Sequence, residues 1–143
     1  MSPLRHFTDL EVWRKAHRLF LDVLSDVNSY PETRGAEIVA RQIISSSSSI
    51  SSNISEGFNR SPKRFSNAID IAYGEANETE NWLYKIRDAG YLEEETVRDR
   101  LKTIIEIEKM LTGLKKKIDS PKKTVRENPP EYKIWPANEE DSR

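Results

Sequence analysis

Arg60, Lys63 and Arg64 crowd around Ser61-Pro62. Serine followed by proline is a helix-start pair, with Ser61 as the N-cap and Pro62 at the first helical position. Backbone N–H groups of a first helical turn favour anions, so cations placed there compose a candidate phosphate site. From Arg41 to Asn67 the sequence holds one acid, Glu56, against the four cations Arg41, Arg60, Lys63 and Arg64. A plainer reading stays open, in which the corner is a solvated loop whose charges pair with acids of the first helix.

Other chemistries find little support. A carboxylate-bridged di-iron bundle needs Glu-x-x-His on two helices plus two inward glutamates. His6 and His17 are the two histidines, and neither lies three residues after a glutamate. The same shortage counts against a histidine-rich zinc site. The five glycines are scattered and form no phosphate loop. A serine nucleophile in the run Ser45–Ser49 would need a base, and no histidine is suitably placed. The expectation is a non-enzyme without cofactor or metal.

Asn53, Glu56 and Gly57 stand out against a background of isoleucine and serine. Structural roles outweigh ligand contact for them. Asn53 is expected to bond a neighbouring backbone, Glu56 to pair with Arg60 four residues on, and Gly57 to end a helix in the left-handed conformation. His17 reads as a half-buried histidine of a core stripe.

The 143 residues suffice for one domain with a core. Apolar content of 36% beside 33% charge suits long amphipathic helices with solvated outer faces. A net charge of −1 provides no global field for nucleic acid or an anionic membrane, so any such site must be local or built by oligomerisation. There is no cysteine, in keeping with a reducing compartment. The start, Met1 to His6, lacks a signal-peptide core, and no run approaches the ~20 apolar residues of a membrane span. A cytoplasmic protein without membrane contact is expected.

The elements that must position these residues follow from periodicity. Thr8 and Glu11 are spaced as a capping box, and Phe7 and Val12 as its hydrophobic staple. The first helix is predicted over 9–28, with Leu10, Trp13, His17, Phe20, Leu24 and Val27 as its core stripe. A second set, Val12, Ala16, Leu19 and Val23, lies alongside. The second helix is predicted from the Thr33–Ala36 region to Glu56. Its serines argue for a linker, but Ile43, Ile50 and Ile54 keep helical register, which favours a helix. The third helix opens at Ser61-Pro62, buries Phe65, Ile69, Ala72, Ala76, Thr79, Leu83 and Ile86, and stops at Gly90. The fourth starts near Glu93 and lines one face with Val97, Leu101, Ile104, Leu111 and Ile118. Lys115, Lys116 and Lys117 crowd its end.

Four helices on short loops predict an all-α, antiparallel up-down four-helix bundle over residues 1–118. Residues 119–143 are expected to be a flexible tail. In it, Tyr132, Ile134 and Trp135 are either a short docking motif or an inert aromatic cluster. Surplus apolar positions on the first, third and fourth helices, Ile71, Trp82, Ile107 and Met110 among them, predict a subunit interface, with a wide core stripe and ordinary exposed residues as the alternative.

Phe7-Thr8-Asp9-Leu10-Glu11-Val12-Trp13-Arg14-Lys15-Ala16 resembles the start of the bacterial four-helix bundle protein family, also called the 23S ribosomal RNA intervening-sequence or S23 family. Ser49-Ile50 with Asn53-Ile54-Ser55-Glu56-Gly57 looks like its central signature. Ser61-Pro62-Lys63-Arg64-Phe65 and Gly90-Tyr91-Leu92 match in order and spacing, and the resemblance spans about Phe7 to Ile118. It implies a non-enzymatic bundle, commonly a ring-like homo-oligomer and often a pentamer. It also implies accessory roles beside ribosomal RNA intervening sequences, or with a reverse transcriptase and its RNA.

Three positions depart from the pattern. Ile44 and Ser45 replace a frequent basic pair, which weakens a phosphate surface there, with Arg41 one turn earlier as a partial substitute. Ser51 replaces a proline, and Glu93 a serine cap. The expected function is an oligomeric accessory protein that binds RNA or a nucleoprotein partner through Arg41, Arg60, Lys63 and Arg64. The alternative is a protein-interaction scaffold with no nucleic-acid binding.

Overall fold

The computed structural model describes residues 4–121, and among them the regular structure is entirely helical. Four helices, α1 (Glu11–Asp26), α2 (Arg34–Gly57), α3 (Pro62–Ala89) and α4 (Glu94–Asp119), follow a 3-10 turn at Phe7–Asp9. A second 3-10 turn, Val27–Ser29, leads out of α1. The expected flexible tail lies outside the described residues from position 122 onward.

Each helix packs on its two neighbours, α1 on α2 and α4, and α3 on α2 and α4. Side-chain pairings fix the directions. Gly57 faces Ala68 while Ser46 bonds Thr79, so α2 and α3 are antiparallel. Lys15 pairs with Glu106 while Asp26 pairs with Arg100, so α1 and α4 are antiparallel as well. The result is the up-down bundle that short loops demand.

The serine run is helical throughout. Ile43, Ile50 and Ile54 are fully buried, and the hydroxyls of Ser47, Ser48, Ser49, Ser52 and Ser55 donate to carbonyls three or four residues back. Serine's competition for backbone acceptors is thereby satisfied inside the helix. Ser46 and Ser47 themselves are buried, because small side chains let α2 sit close to its neighbours.

Several expectations need correction. On α1 the core stripe is Val12, Ala16, Leu19 and Val23, and of the other expected set only Leu10, just before the helix, is fully buried. Trp13, His17, Phe20 and Val27 are half-buried and Leu24 is exposed. Trp13 and His17 stack at 4.8 Å on the flank, which covers their apolar faces and leaves their polar edges near water. The first cap is built by His6 rather than Thr8. The His6 ring accepts from Thr8 N–H while the Asp9 carboxylate accepts from His6 N–H, so Phe7–Asp9 forms its own turn and Leu10 stays extended before α1.

Gly57 is not a left-handed terminator. It is the last residue of α2, and the left-handed positions are Asn59, with φ 66°, and Gly90, with φ 76°. A Cβ on Gly57 would collide with the Ala68 methyl and crowd the Phe65 ring at 3.2 Å, so glycine is required for close approach of α2 to α3. On α4, Ile107 and Leu114 are buried with Ile104 and Leu111, whereas Leu101 is only half-buried. Ile107 is thus a core residue and not part of an exposed interface stripe.

Candidate nucleic-acid interface

The corner between α2 and α3 is short and firmly anchored. Phe58 leaves α2 in an extended conformation and Asn59 reverses the chain, letting Arg60 N–H donate to the Gly57 carbonyl at 3.1 Å. Asparagine suits the left-handed position because its short polar side chain lowers the steric cost. Phe58 and Phe65, both buried, meet edge to face at 5.9 Å beneath the corner. Ser61 caps α3, its hydroxyl accepting from Arg64 N–H at 3.3 Å. Pro62 carries no N–H, so the first turn presents the Lys63 N–H and the positive end of the helix dipole outward.

Arg60, Lys63 and Arg64 are all exposed, and none makes an ion pair among the described residues. The expected Glu56–Arg60 pair is absent there, although Glu56 is exposed one turn before the corner. The first-helix acids do not neutralise the corner either. Glu11 makes no ion pair with it among the described residues, Asp9 just before the helix is engaged by the N–H groups of Arg5 and His6, and Asp22 and Asp26 bind Arg100 at the other end. Asn53 is half-buried and donates to the Ser49 carbonyl at 2.8 Å, a structural role within its own helix.

Arg41 does not join the corner. It stands 16 residues before Gly57, about 24 Å along α2, and its guanidinium pairs with Glu37 at 2.8 Å. Its place is taken by a group that sequence reasoning left aside. Antiparallel packing brings the end of α4 beside the start of α3, where the Lys115 ammonium donates to the Ser66 hydroxyl at 2.8 Å. Lys115 also pairs with Asp119 at 3.2 Å, and the Ser66 hydroxyl, followed by Lys115, holds the Asp119 carboxyl below its ordinary range. Lys116 and Lys117 are exposed on the same end. The signal was available, since α3 and α4 have nearly equal length, which sets the last turn of one against the first turn of the other.

The far end has the opposite character. The corner from α3 to α4 carries Asp88, Glu93, Glu94 and Glu95 against Arg87 and Arg98, and Arg87 is tied to Asp88 and Arg98 to Glu94. Between the ends, on the α3–α4 seam, Glu80 and Glu108 approach each other. Tyr84 donates to Glu80 at 2.6 Å, and one oxygen of Glu108 is buried without a donor. Burial, and then the bond to Glu80, push the Glu108 carboxyl up to about 8, so the pair holds a proton at neutral pH.

The expected interface residues separate. Ile71 is 54% exposed. Trp82 is half-buried, with its indole N–H directed to Glu78 at 3.4 Å and the Lys85 ammonium 5.9 Å from its ring. Met110 is half-buried against the core, and Ile107 lies within it. Among the described residues no three His, Asp or Glu side chains converge to hold a metal ion, and no helix is long and apolar enough to cross a membrane.

The family model for the 23S rRNA-intervening sequence protein matches residues 8–113. A solved structure, that of a protein of unknown function from the S23 ribosomal protein family of Bacteroides thetaiotaomicron VPI-5482, superposes with a TM-score of 0.68 at 28% identity. The match covers 73% of this chain and 98% of that one. No curated protein matches the chain.

Proposed function

The chain belongs to the 23S rRNA-intervening sequence protein family, and on that premise we propose that it is a non-enzymatic accessory protein whose basic end holds the phosphate backbone of RNA. The observation that carries this reading is the set Arg60, Lys63 and Arg64, exposed and without ion pairs among the described residues, on a rigid corner at the start of α3. Lys116 extends the same surface. Cations that no carboxylate neutralises keep their field for a polyanion, and rigid placement lowers the ordering cost of binding.

Nothing in this arrangement reads bases. No exposed aromatic side chain lies on the corner, since Phe58 and Phe65 are buried. Binding is therefore of the positioning kind, through phosphates, with sequence choice left to RNA shape or to a partner such as a reverse transcriptase. Self-association into a ring, with a pentamer favoured, would repeat the corner and raise avidity. Ile71 and Trp82 are the residues offered for that contact.

Charge reversal at Lys63 and Arg64 tests the assignment. Lys63→Glu with Arg64→Glu should weaken RNA binding at least tenfold, on the order of two lost phosphate contacts. Unchanged affinity in a folded variant would remove the corner from the interface.

A second reading rests on a separate observation. From Gln42 to Ser55 the sequence contains no charged residue. The outward face of α2 over that span is thus small and uncharged, and half-buried Trp13 and Phe20 and exposed Leu24 sit on the neighbouring helix. Such a surface suits protein contact, as in a scaffold that binds no nucleic acid. A partner complex that survives nuclease and high salt would favour it.

A further inference from the structure

Ser120 and Pro121 form part of the rim of a cleft of about 690 Å³ between α3 and α4. Ile69 and Leu111 form its floor but are fully buried, so its accessible surface belongs to the walls, Asp70, Tyr73 and Thr112. The floor is apolar and the volume is that of a side-chain or small-ligand site. Lys115 and Lys116 stand at the mouth together with Asp70 and Asp119. Lys115 is committed to Ser66 and Asp119, whereas Lys116 makes no ion pair among the described residues.

The sequence beyond Pro121 matches this cleft in order. Tyr132, Ile134 and Trp135 supply apolar bulk, and Glu139, Glu140 and Asp141 follow with three negative charges. Ten residues separate Pro121 from Tyr132, a connection that reaches ~33 Å when extended. The groove from Leu111 to Pro121 runs only ~15 Å along α4, so the connection is long enough to turn back. A tether of this length keeps the segment at an effective concentration in the millimolar range, which makes even a weak contact well populated. Closing such a loop costs little more than closing a shorter one.

We propose that the α3–α4 groove is the docking site of this chain's own segment 131–141, with the Tyr132–Trp135 side chains against Tyr73 and Thr112 and the acidic residues beside Lys116. The proposal does not depend on nucleic-acid binding.

The absence of native cysteine allows a clean test in the full-length chain. Thr112→Cys with Lys133→Cys places a thiol on the groove wall and another in the segment. Ser52→Cys with Lys133→Cys, whose first site is exposed on α2 at the same end of the bundle but away from the groove, is the control. Mild oxidation should close the groove pair within one chain about tenfold faster than the control, and adding Trp135→Ala should erase the excess. Amide exchange of residues 69–73 and 111–116 should speed up in Trp135→Ala alone. Equal closure rates for the two pairs would overturn the proposal, and so would a disulfide that joins two chains.

Discussion

Ser46 on α2 and Thr79 on α3 share a hydrogen bond of 2.8 Å inside the core, where Ser46 is 2% and Thr79 0% exposed. Thr79 also donates to the Glu75 carbonyl at 2.9 Å, which uses its one proton, so Ser46 is the donor across the helices. The bond ties α2 to α3 on the inside of the bundle. Thr79→Val removes the acceptor and leaves Ser46 with a poor 3.4 Å alternative at the Ile43 carbonyl. A loss of about 1–2 kcal/mol is expected in urea unfolding, and Ser46→Ala combined with Thr79→Val should recover part of it.

Gly57→Ala opposes two effects. Alanine gains ~1 kcal/mol of helix propensity over glycine, but its methyl collides with Ala68 and Phe65. Overpacking costs ~1–3 kcal/mol and the neighbours here are a backbone-near methyl and a fully buried ring, so net destabilisation is expected. Ala68→Gly in the same chain should restore stability. If Gly57→Ala alone stabilised the protein, the close approach would not be the reason for glycine.

At the far end, Arg100 grips Asp26 through two bonds of 2.7 and 2.8 Å, with Asp22 at 3.7 Å. The Asp26 side chain is only 10% exposed. The bond to Asp26 raises the Arg100 affinity for its proton. Arg100→Met should cost about 2–4 kcal/mol, because it strands a largely buried carboxylate. The double variant with Asp26→Leu should cost less than the single change. Thermal unfolding of the set checks the ordering.

The Glu80–Glu108 contact gives the bundle a pH dependence. Glu108 has an ordinary value of 4.5 when unfolded and about 8 when folded. Between those values the folded chain keeps a proton that the unfolded chain has released, so stability falls as pH rises across that window and levels off above it. Glu108→Gln should flatten this contribution and stabilise the bundle most at alkaline pH. Urea midpoints at pH 5, 7 and 9 for both chains would show it, and parallel curves would contradict it.

How far the sequence carried is clearest helix by helix. All seven expected positions on α3 are buried, because one stripe at strict helical spacing admits one rotation of the helix. Helix α1 offered two adjacent stripes, and the choice between them belongs to packing against α2 and α4. The stripe of smaller side chains won, which sets Trp13 and His17 on the flank. Ile107 was misjudged for a related reason. A heptad count from Ile104 passes over it, whereas the 3.6-residue period puts it beside Ile104 and Leu111.

The site was legible only in part. Ser61-Pro62 and the three cations lie together in sequence, so local rules found them. Gly57 was expected at a left-handed position that Asn59 takes instead, since glycine is demanded by close approach as well as by a left-handed turn. Arg41 drops out because 16 residues of helix separate it from Gly57, and Lys116 stands near the corner because antiparallel packing sets the end of α4 beside the start of α3.

The central claim is tested most directly by RNA affinity measured by fluorescence anisotropy over a range of salt. The native chain should show log K falling linearly with log salt, at a slope of about −0.7 for each phosphate contact with a single strand. Lys63→Glu with Arg64→Glu should give weaker binding and a slope shallower by about 1.4 for two contacts, with helicity by circular dichroism unchanged. The same slope and affinity in both chains, or no salt-dependent binding by the native chain, would contradict the assignment of the basic end.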